Sequence, residues 1–179
     1  MAQSTFQGPI RSLSGAYNQG PASVVAVTAS ATLSPSSYAG RLITVGGSLA
    51  ANVVLTLPAI NTEANSVSSG PGQNPDTTNN LGVTYTIWVP TTISTSSLKI
   101  GTNGTDKFVG SVLSIDTDTS GAAVGFTAAS TNDFINLNGT TTGGVAGTWI
   151  QIVAVAANKY MVTGVVNGSG TVATPFADS

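Results

Sequence analysis

Short segments of strand-like sequence follow one another along most of this chain. In the segment 52–58, Val53, Leu55 and Leu57 occupy alternate positions, which is the period of a half-buried β-strand. The segments of this kind are 23–29, 41–45, 52–58, 83–89, 98–101, 107–115, 122–128, 133–137, 148–156 and 159–166. Nowhere do apolar residues recur convincingly at helical spacing, so the sequence predicts an all-β fold.

The connections between these segments indicate how the strands are arranged. The last two segments are separated by Ala157 and Asn158 alone, a length typical of a tight β-hairpin. Many short strands joined by polar turns are typical of sandwiches, jelly rolls and barrels. For a chain of 179 residues we predict one domain over 23–179, an antiparallel β-sandwich resembling a jelly roll, with its strand order left open.

Two stretches lie outside this pattern. Residues 1–22 show neither strand nor helix periodicity, and we interpret them as an extended N-terminal arm. Residues 60–82 are rich in Asn, Ser, Gly and Pro, and we interpret them as a long loop within the sandwich. Loops of this length are uncommon in compact domains and often carry function.

The composition excludes several classes of function. Charged residues make up 7% of the chain, against about 25% in ordinary soluble domains. There is no Cys and no His, so we predict no disulfide, no cofactor and no catalytic residues. Five Lys and Arg residues are too few for a phosphate backbone, so we predict no nucleic-acid partner. The start of the sequence lacks a basic region followed by an apolar run, so we predict no signal peptide. No apolar run approaches the roughly 18 residues that span a membrane, so we predict no membrane partner.

One short motif has the composition of a metal site. Asp116, Asp118 and Ser120 occupy alternate positions before Gly121, like the first half of a calcium loop. The twelfth position is Thr127, where a calcium loop needs a bidentate Glu. We therefore predict a polar turn and no metal site, and whether Asp116 and Asp118 bind calcium stays open.

Trp88 occupies an unusual place in its strand. It falls on the face that carries Thr84 and Thr86, where a large aromatic ring would be exposed to water. Aromatic residues are enriched at the centres of protein interfaces. We interpret Trp88 as a candidate subunit-interface residue; the alternative is that a loop or second sheet of the same chain covers it.

Several motifs along the chain resemble those of virion proteins of tailed bacteriophages. They are a Gly-Thr-Trp-Ile strand at 147–150, an Ala-Asn turn, a Tyr-x-Val-x-Gly strand at 160–164, Leu-Pro-Ala at 57–59, Gly-Thr-Asp-Lys-Phe-Val-Gly at 104–110, and Ser-Thr-Phe-x-Gly-Pro-Ile-Arg-Ser at 4–12. The group they resemble most is the head decoration, or cement, proteins, especially those of marine phages. The motifs cover both ends and the middle of the chain.

The resemblance implies a structural role outside the capsid shell. Such proteins are commonly trimers that bind the major capsid protein after the head expands and stabilise the shell against the pressure of packaged DNA. We would then expect the chain on the capsid exterior, after synthesis in the host cytoplasm. The arm would contact the capsid through Phe6, Pro9, Ile10, Arg11, Leu13 and Tyr17.

Three other classes of function are alternatives to shell decoration. A phage tail, fibre or adhesin component would use the 60–82 loop to contact the host surface, although no shaft repeats are present. A carbohydrate-binding sandwich would need an exposed aromatic platform, and the two Trp residues do not cluster in the sequence. An enzyme is disfavoured because His, Cys and spaced carboxylate motifs are lacking.

Overall fold

The fold consists almost entirely of β-strands. The computed structural model describes residues 23–62, 79–118 and 121–178. Within these ranges the chain forms twelve strands and one helical turn, α1 (Pro35–Tyr38). The described part contains no helix that is long and apolar enough to cross a membrane.

The strands form two sheets, which we call the large sheet and the small sheet. In spatial order the large sheet contains β1 (Val24–Ala26), β3 (Leu42–Thr44), β5 (Thr84–Trp88), β10 (Trp149–Ala156), β11 (Lys159–Gly168), β7 (Lys107–Asp116) and β8 (Ala123–Thr127). The small sheet contains β12 (Phe176–Ala177), β9 (Phe134–Leu137), β6 (Leu98–Gly101), β4 (Val53–Thr56) and β2 (Ala31–Thr32).

The two packed sheets confirm the predicted all-β sandwich, but the prediction that its strands are antiparallel is wrong, because both sheets are mixed. From β1 to β7 the chain alternates between the two sheets. The strands β2, β3, β4 and β5 are each the crossover that joins two neighbouring strands of the other sheet, whereas β6 leads from β5 to β7, which are separated by β10 and β11. A crossover returns the chain in its original direction, and β1–β3, β3–β5, β2–β4 and β4–β6 are accordingly parallel. A jelly roll is built from antiparallel strands, so that part of the prediction is also wrong.

The two sheets enclose one apolar core. The large sheet contributes Ile87, Ile150 and Ile152 from its inner face, while Leu55 and Ile100 come from the small sheet. All five side chains are essentially inaccessible to solvent. The shared face predicted for Val53, Leu55 and Leu57 is confirmed, because all three side chains are buried.

Each predicted strand segment contains a strand in the structure. The hairpin at Ala157 and Asn158 is also confirmed: β10 and β11 pair in antiparallel fashion across it, and Asn158 has a positive φ of 59°. Two strands of two residues, β2 and β12, and the turn α1 were not predicted. Such short elements show no periodicity that a sequence pattern can reveal.

Candidate functional site on the outer face of the large sheet

Two exposed tryptophans lie side by side on the large sheet. Trp88 is the last residue of β5 and Trp149 the first residue of β10, and the two are directly paired across the antiparallel ladder. Directly opposed residues have Cβ atoms about 4.5–5.5 Å apart. The sheet therefore brings together two side chains that are far apart in the sequence.

The alternation of each strand explains why these rings face solvent. Ile87 and Ile150, their chain neighbours, point into the core and are 1% and 0% exposed. Successive side chains of a strand point to opposite faces, so Trp88 and Trp149 must point outward. They are 39% and 38% exposed, so the described part of the chain leaves part of each side chain open to solvent.

The pair belongs to an uncharged row of side chains across five strands, the tryptophan row: Thr44, Trp88, Trp149, Val165 and Leu113. Leu113 is also exposed, and Val165 is half-buried. The two Trp residues lie on β5 and β10, which have hydrogen-bonded neighbours on both sides. Their backbone positions are therefore fixed before any partner arrives.

A second row lies two residues further along the strands, about 6.8 Å away. This hydroxyl–amide row consists of Thr86, Gln151 and Thr163, which are paired across β5, β10 and β11. Among the described residues, none of these three side chains forms a hydrogen bond within the protein. Their donors and acceptors are available to a ligand or to water.

Among the described residues, no charged side chain belongs to the tryptophan row or to the hydroxyl–amide row. On the large sheet, Lys107 and Lys159 lie opposite each other in the β7–β11 ladder. They are at the ends of these strands that are remote from the Trp pair. On the small sheet, the Lys99 ammonium lies 6.0 Å from the centre of the Phe134 ring. The outer face around the Trp pair can therefore recognise a partner by shape and hydrogen bonding, and net charge contributes little.

Asp116 and Asp118 lie at the β7–β8 turn and are already engaged with the backbone. The Asp118 amide donates to Asp116 Oδ1 at 3.0 Å, and the Gly170 amide donates to Asp118 Oδ2 at 2.6 Å. Thr127 pairs with Ser111, several residues away from Asp116 along the hairpin. The described part contains no group of three or more candidate metal-binding side chains.

The long loop 60–82 has well-defined ends, although residues 63–78 lie outside the described part. The Asn80 side chain is buried between these ends: its amide donates to the Ala59 carbonyl at 2.8 Å and its oxygen accepts from the Asn61 amide at 2.9 Å. The backbone N–H of Asn80 also donates to the backbone carbonyl of Asn61 at 3.1 Å. Whatever the loop contacts, its two ends are held together by these three bonds.

The proposed capsid-contact residues lie outside the described residues. Phe6, Pro9, Ile10, Arg11, Leu13 and Tyr17 all belong to the range 1–22. The chain that follows enters β1, which is an edge strand of the large sheet. The arm is therefore connected to the sandwich at a sheet edge, and its role stays a prediction.

The aromatic platform that the sequence seemed to lack is present in the fold. Trp149, Thr86, Gln151 and Thr163 were not recognised as site residues from the sequence. The outward position of Trp149 follows from the apolar Ile150 and Ile152, which come one and three residues after it and point inward, but no local signal shows that Trp149 lies opposite Trp88. The interface role of Trp88 stays a prediction.

Comparisons of this chain with protein families, curated proteins and solved structures found no match. Its function must therefore be inferred from its own residues and their arrangement.

Proposed function

We propose that this chain is a structural virion protein of a tailed bacteriophage. As an oligomer, a trimer by resemblance, it binds the major capsid protein on the outside of the shell. By linking neighbouring shell subunits it stabilises the head against the pressure of packaged DNA.

The observation that carries this proposal is the scarcity of exposed charge. In the described ranges the only exposed charged residues are Asp118, Lys159 and Asp178, while Arg41, Lys99 and Lys107 are half-buried. Asp106, Asp116 and Asp133 are buried. Net charge keeps proteins soluble and monomeric, whereas a surface this poor in charge favours lasting association with neighbours.

The N-terminal arm provides a means of attachment. When fully extended its 22 residues would reach about 70 Å, far enough to cross a neighbouring subunit. An extended segment can add a strand to an exposed sheet edge, with its main chain supplying the hydrogen bonds. Phe6, Ile10, Leu13 and Tyr17 supply apolar anchors, and Arg11 supplies the single side-chain charge of the arm.

The stoichiometry of purified phage particles tests this function. Quantitative mass spectrometry should find a copy number of this chain per particle that approaches the copy number of the major capsid protein. A few copies per particle would instead place it at the tail or at a vertex. Its absence from particles would contradict a virion role altogether.

The role of the arm has its own test. A chain without residues 1–20 should fold and keep its oligomeric state, yet fail to bind expanded shells that lack the protein. Binding can be measured by co-sedimentation with those shells, with Leu113→Ala as a control outside the arm. Normal binding by the truncated chain would contradict the role of the arm. The virion role would still be tested separately, by the stoichiometry of purified particles.

A tail, fibre or adhesin component is the second candidate. The observation in its favour is the buried Asn80 side chain, which joins the two ends of the 60–82 loop. A long loop that is fixed at its base is suited to contacting a host surface. Low copy number together with location at the tail would favour this function over shell decoration.

A further inference from the structure

We propose that the Trp88–Trp149 pair is a binding platform for an uncharged polysaccharide, with the hydroxyl–amide row as its hydrogen-bonding partner. This inference goes beyond the proposed virion role and does not depend on it. It gives the Trp88 face a ligand in place of the second subunit expected from the sequence.

The two rings provide the apolar part of the site. Each leaves somewhat more than a third of its surface open, as expected of an indole with one side packed and the other accessible. A sugar ring presents a face of C–H groups, which packs on such a surface, while the indole N–H remains a donor for a hydroxyl. The neighbouring strands, about 4.8 Å apart, would place consecutive sugar units over consecutive rings.

The hydroxyl–amide row favours a sugar over another protein surface. Thr86, Gln151 and Thr163 have no hydrogen-bonding partner within the described protein. Covering them with an apolar surface would cost free energy, because buried polar groups without partners are destabilising. Sugar hydroxyls both donate and accept, so a chain along the tryptophan row would satisfy these groups from one side.

The charge distribution determines the class of glycan. No member of either row is charged, and Lys107 and Lys159 lie at the far ends of their strands. Among the described residues, neither row carries a cation to offset the loss of hydration of an anionic glycan, and the cation nearest in register is Arg41, which precedes the Leu42 that is paired with Thr86. The site therefore fits a neutral chain better than a uronate, sulfated or phosphorylated one.

The composition of the chain gives a direct readout of this site. The protein contains two Trp residues, and both belong to the platform. Intrinsic tryptophan fluorescence of the full chain thus reports on this surface without a label. We would titrate the protein with cellohexaose, xylohexaose, mannohexaose and isomaltohexaose at millimolar concentrations, and with polygalacturonate as the anionic counterpart.

We expect a saturable blue shift with at least one neutral oligosaccharide and none with polygalacturonate. Trp149→Ala should weaken that binding about tenfold or more, because a stacked ring is lost. In this variant the emission of the remaining Trp88 reports on binding. Gln151→Met keeps the size of the side chain but removes its hydrogen bonds, and it should also weaken binding. Val155→Ala, an exposed position near the opposite end of β10 and outside both rows, should bind like the unchanged protein.

Two results would overturn the proposal. One is an emission spectrum that no neutral oligosaccharide changes. The other is a blue shift that depends on protein concentration without sugar and becomes stronger in Gln151→Met, which would show that a second copy covers the face. Neither result bears on the particle stoichiometry, so the virion role and the glycan site fail independently.

Discussion

At the scale of single residues, Asp106 is a buried carboxyl group that accepts a backbone hydrogen bond. Its side chain is 1% exposed, and its Oδ2 accepts a hydrogen bond from the Ile60 amide at 2.9 Å. Burial raises the pKa of Asp106 above 3.8, while the bond from Ile60 opposes that rise. Asp106 in turn adds to the effect of burial in raising the pKa of Tyr160, whose hydroxyl donates to the Pro58 carbonyl at 2.7 Å.

The raised pKa of Asp106 predicts a pH-dependent contribution to stability. The folded state holds this proton more tightly than the unfolded state, so the contribution is fully present below pH 3.8 and is lost as the pH rises through the folded-state pKa. Asp106→Asn keeps an oxygen to accept from Ile60 but cannot ionise. The unfolding free energy of the variant minus that of the natural chain should therefore increase over this pH range and then level off.

Urea unfolding at a series of pH values measures that difference directly. Contributions from the other carboxyl groups cancel because they are common to both proteins. A difference that stays constant with pH, or that decreases as the pH rises, would contradict the assigned direction.

At the scale of elements, the parallel contact between β7 and β11 depends on a glycine. Gly110 lies opposite Val162 in that ladder and has a φ of +103°. A Cβ atom built at this position would lie 2.4 Å from the Val162 carbonyl oxygen. The backbone conformation and the close approach of the partner strand both require glycine here.

Gly110→Ala should therefore destabilise the fold by about 2 kcal/mol or more, since positive φ alone costs about 1–2 kcal/mol for an L-residue. Gly125→Ala in the adjacent strand β8 is a matched control, because a Cβ there meets nothing within 4 Å. Chemical unfolding of the two variants gives the comparison. Equal stabilities would show that the β7–β11 contact tolerates a side chain at Gly110.

At the scale of the whole molecule, the two sheets depend on one core. Leu55 of the small sheet and Ile150 of the large sheet belong to the same cluster of buried side chains, and the chain passes repeatedly from one sheet to the other. If one sheet exposes its inner face to water, the inner face of the other sheet becomes exposed as well. We therefore expect the sandwich to unfold as one cooperative unit.

Leu55→Ala tests this cooperativity, because both Trp residues lie in the large sheet and report on it alone. Removing a fully buried Leu typically costs about 2–5 kcal/mol, so the transition seen by Trp emission should move to lower urea together with that seen by far-ultraviolet circular dichroism. Val54→Ala, on the half-buried outer side of the same strand, should cost less. Separate transitions for the two signals would show that the sheets unfold independently.

The local sequence determined the strands and the faces that they bury. Alternation in 52–58 and 83–89 correctly placed Leu55 and Ile87 inside and Trp88 outside, because that period is set by the geometry of each strand. The Ala157–Asn158 connection likewise specified its hairpin, since two residues leave the chain few other routes. These features depend on neighbours in the sequence, so a single sequence can reveal them.

The tertiary structure decided which strands are neighbours and what their outer faces present. A strand with one buried face shows the same alternation in a parallel as in an antiparallel ladder, so the passage between sheets from β1 to β7 left no local signal. The pairing of Trp88 with Trp149, and of both with the row of Thr86, Gln151 and Thr163, depends on the register of β5, β10 and β11. That register is fixed by packing of the shared core, through contacts between residues distant in the chain.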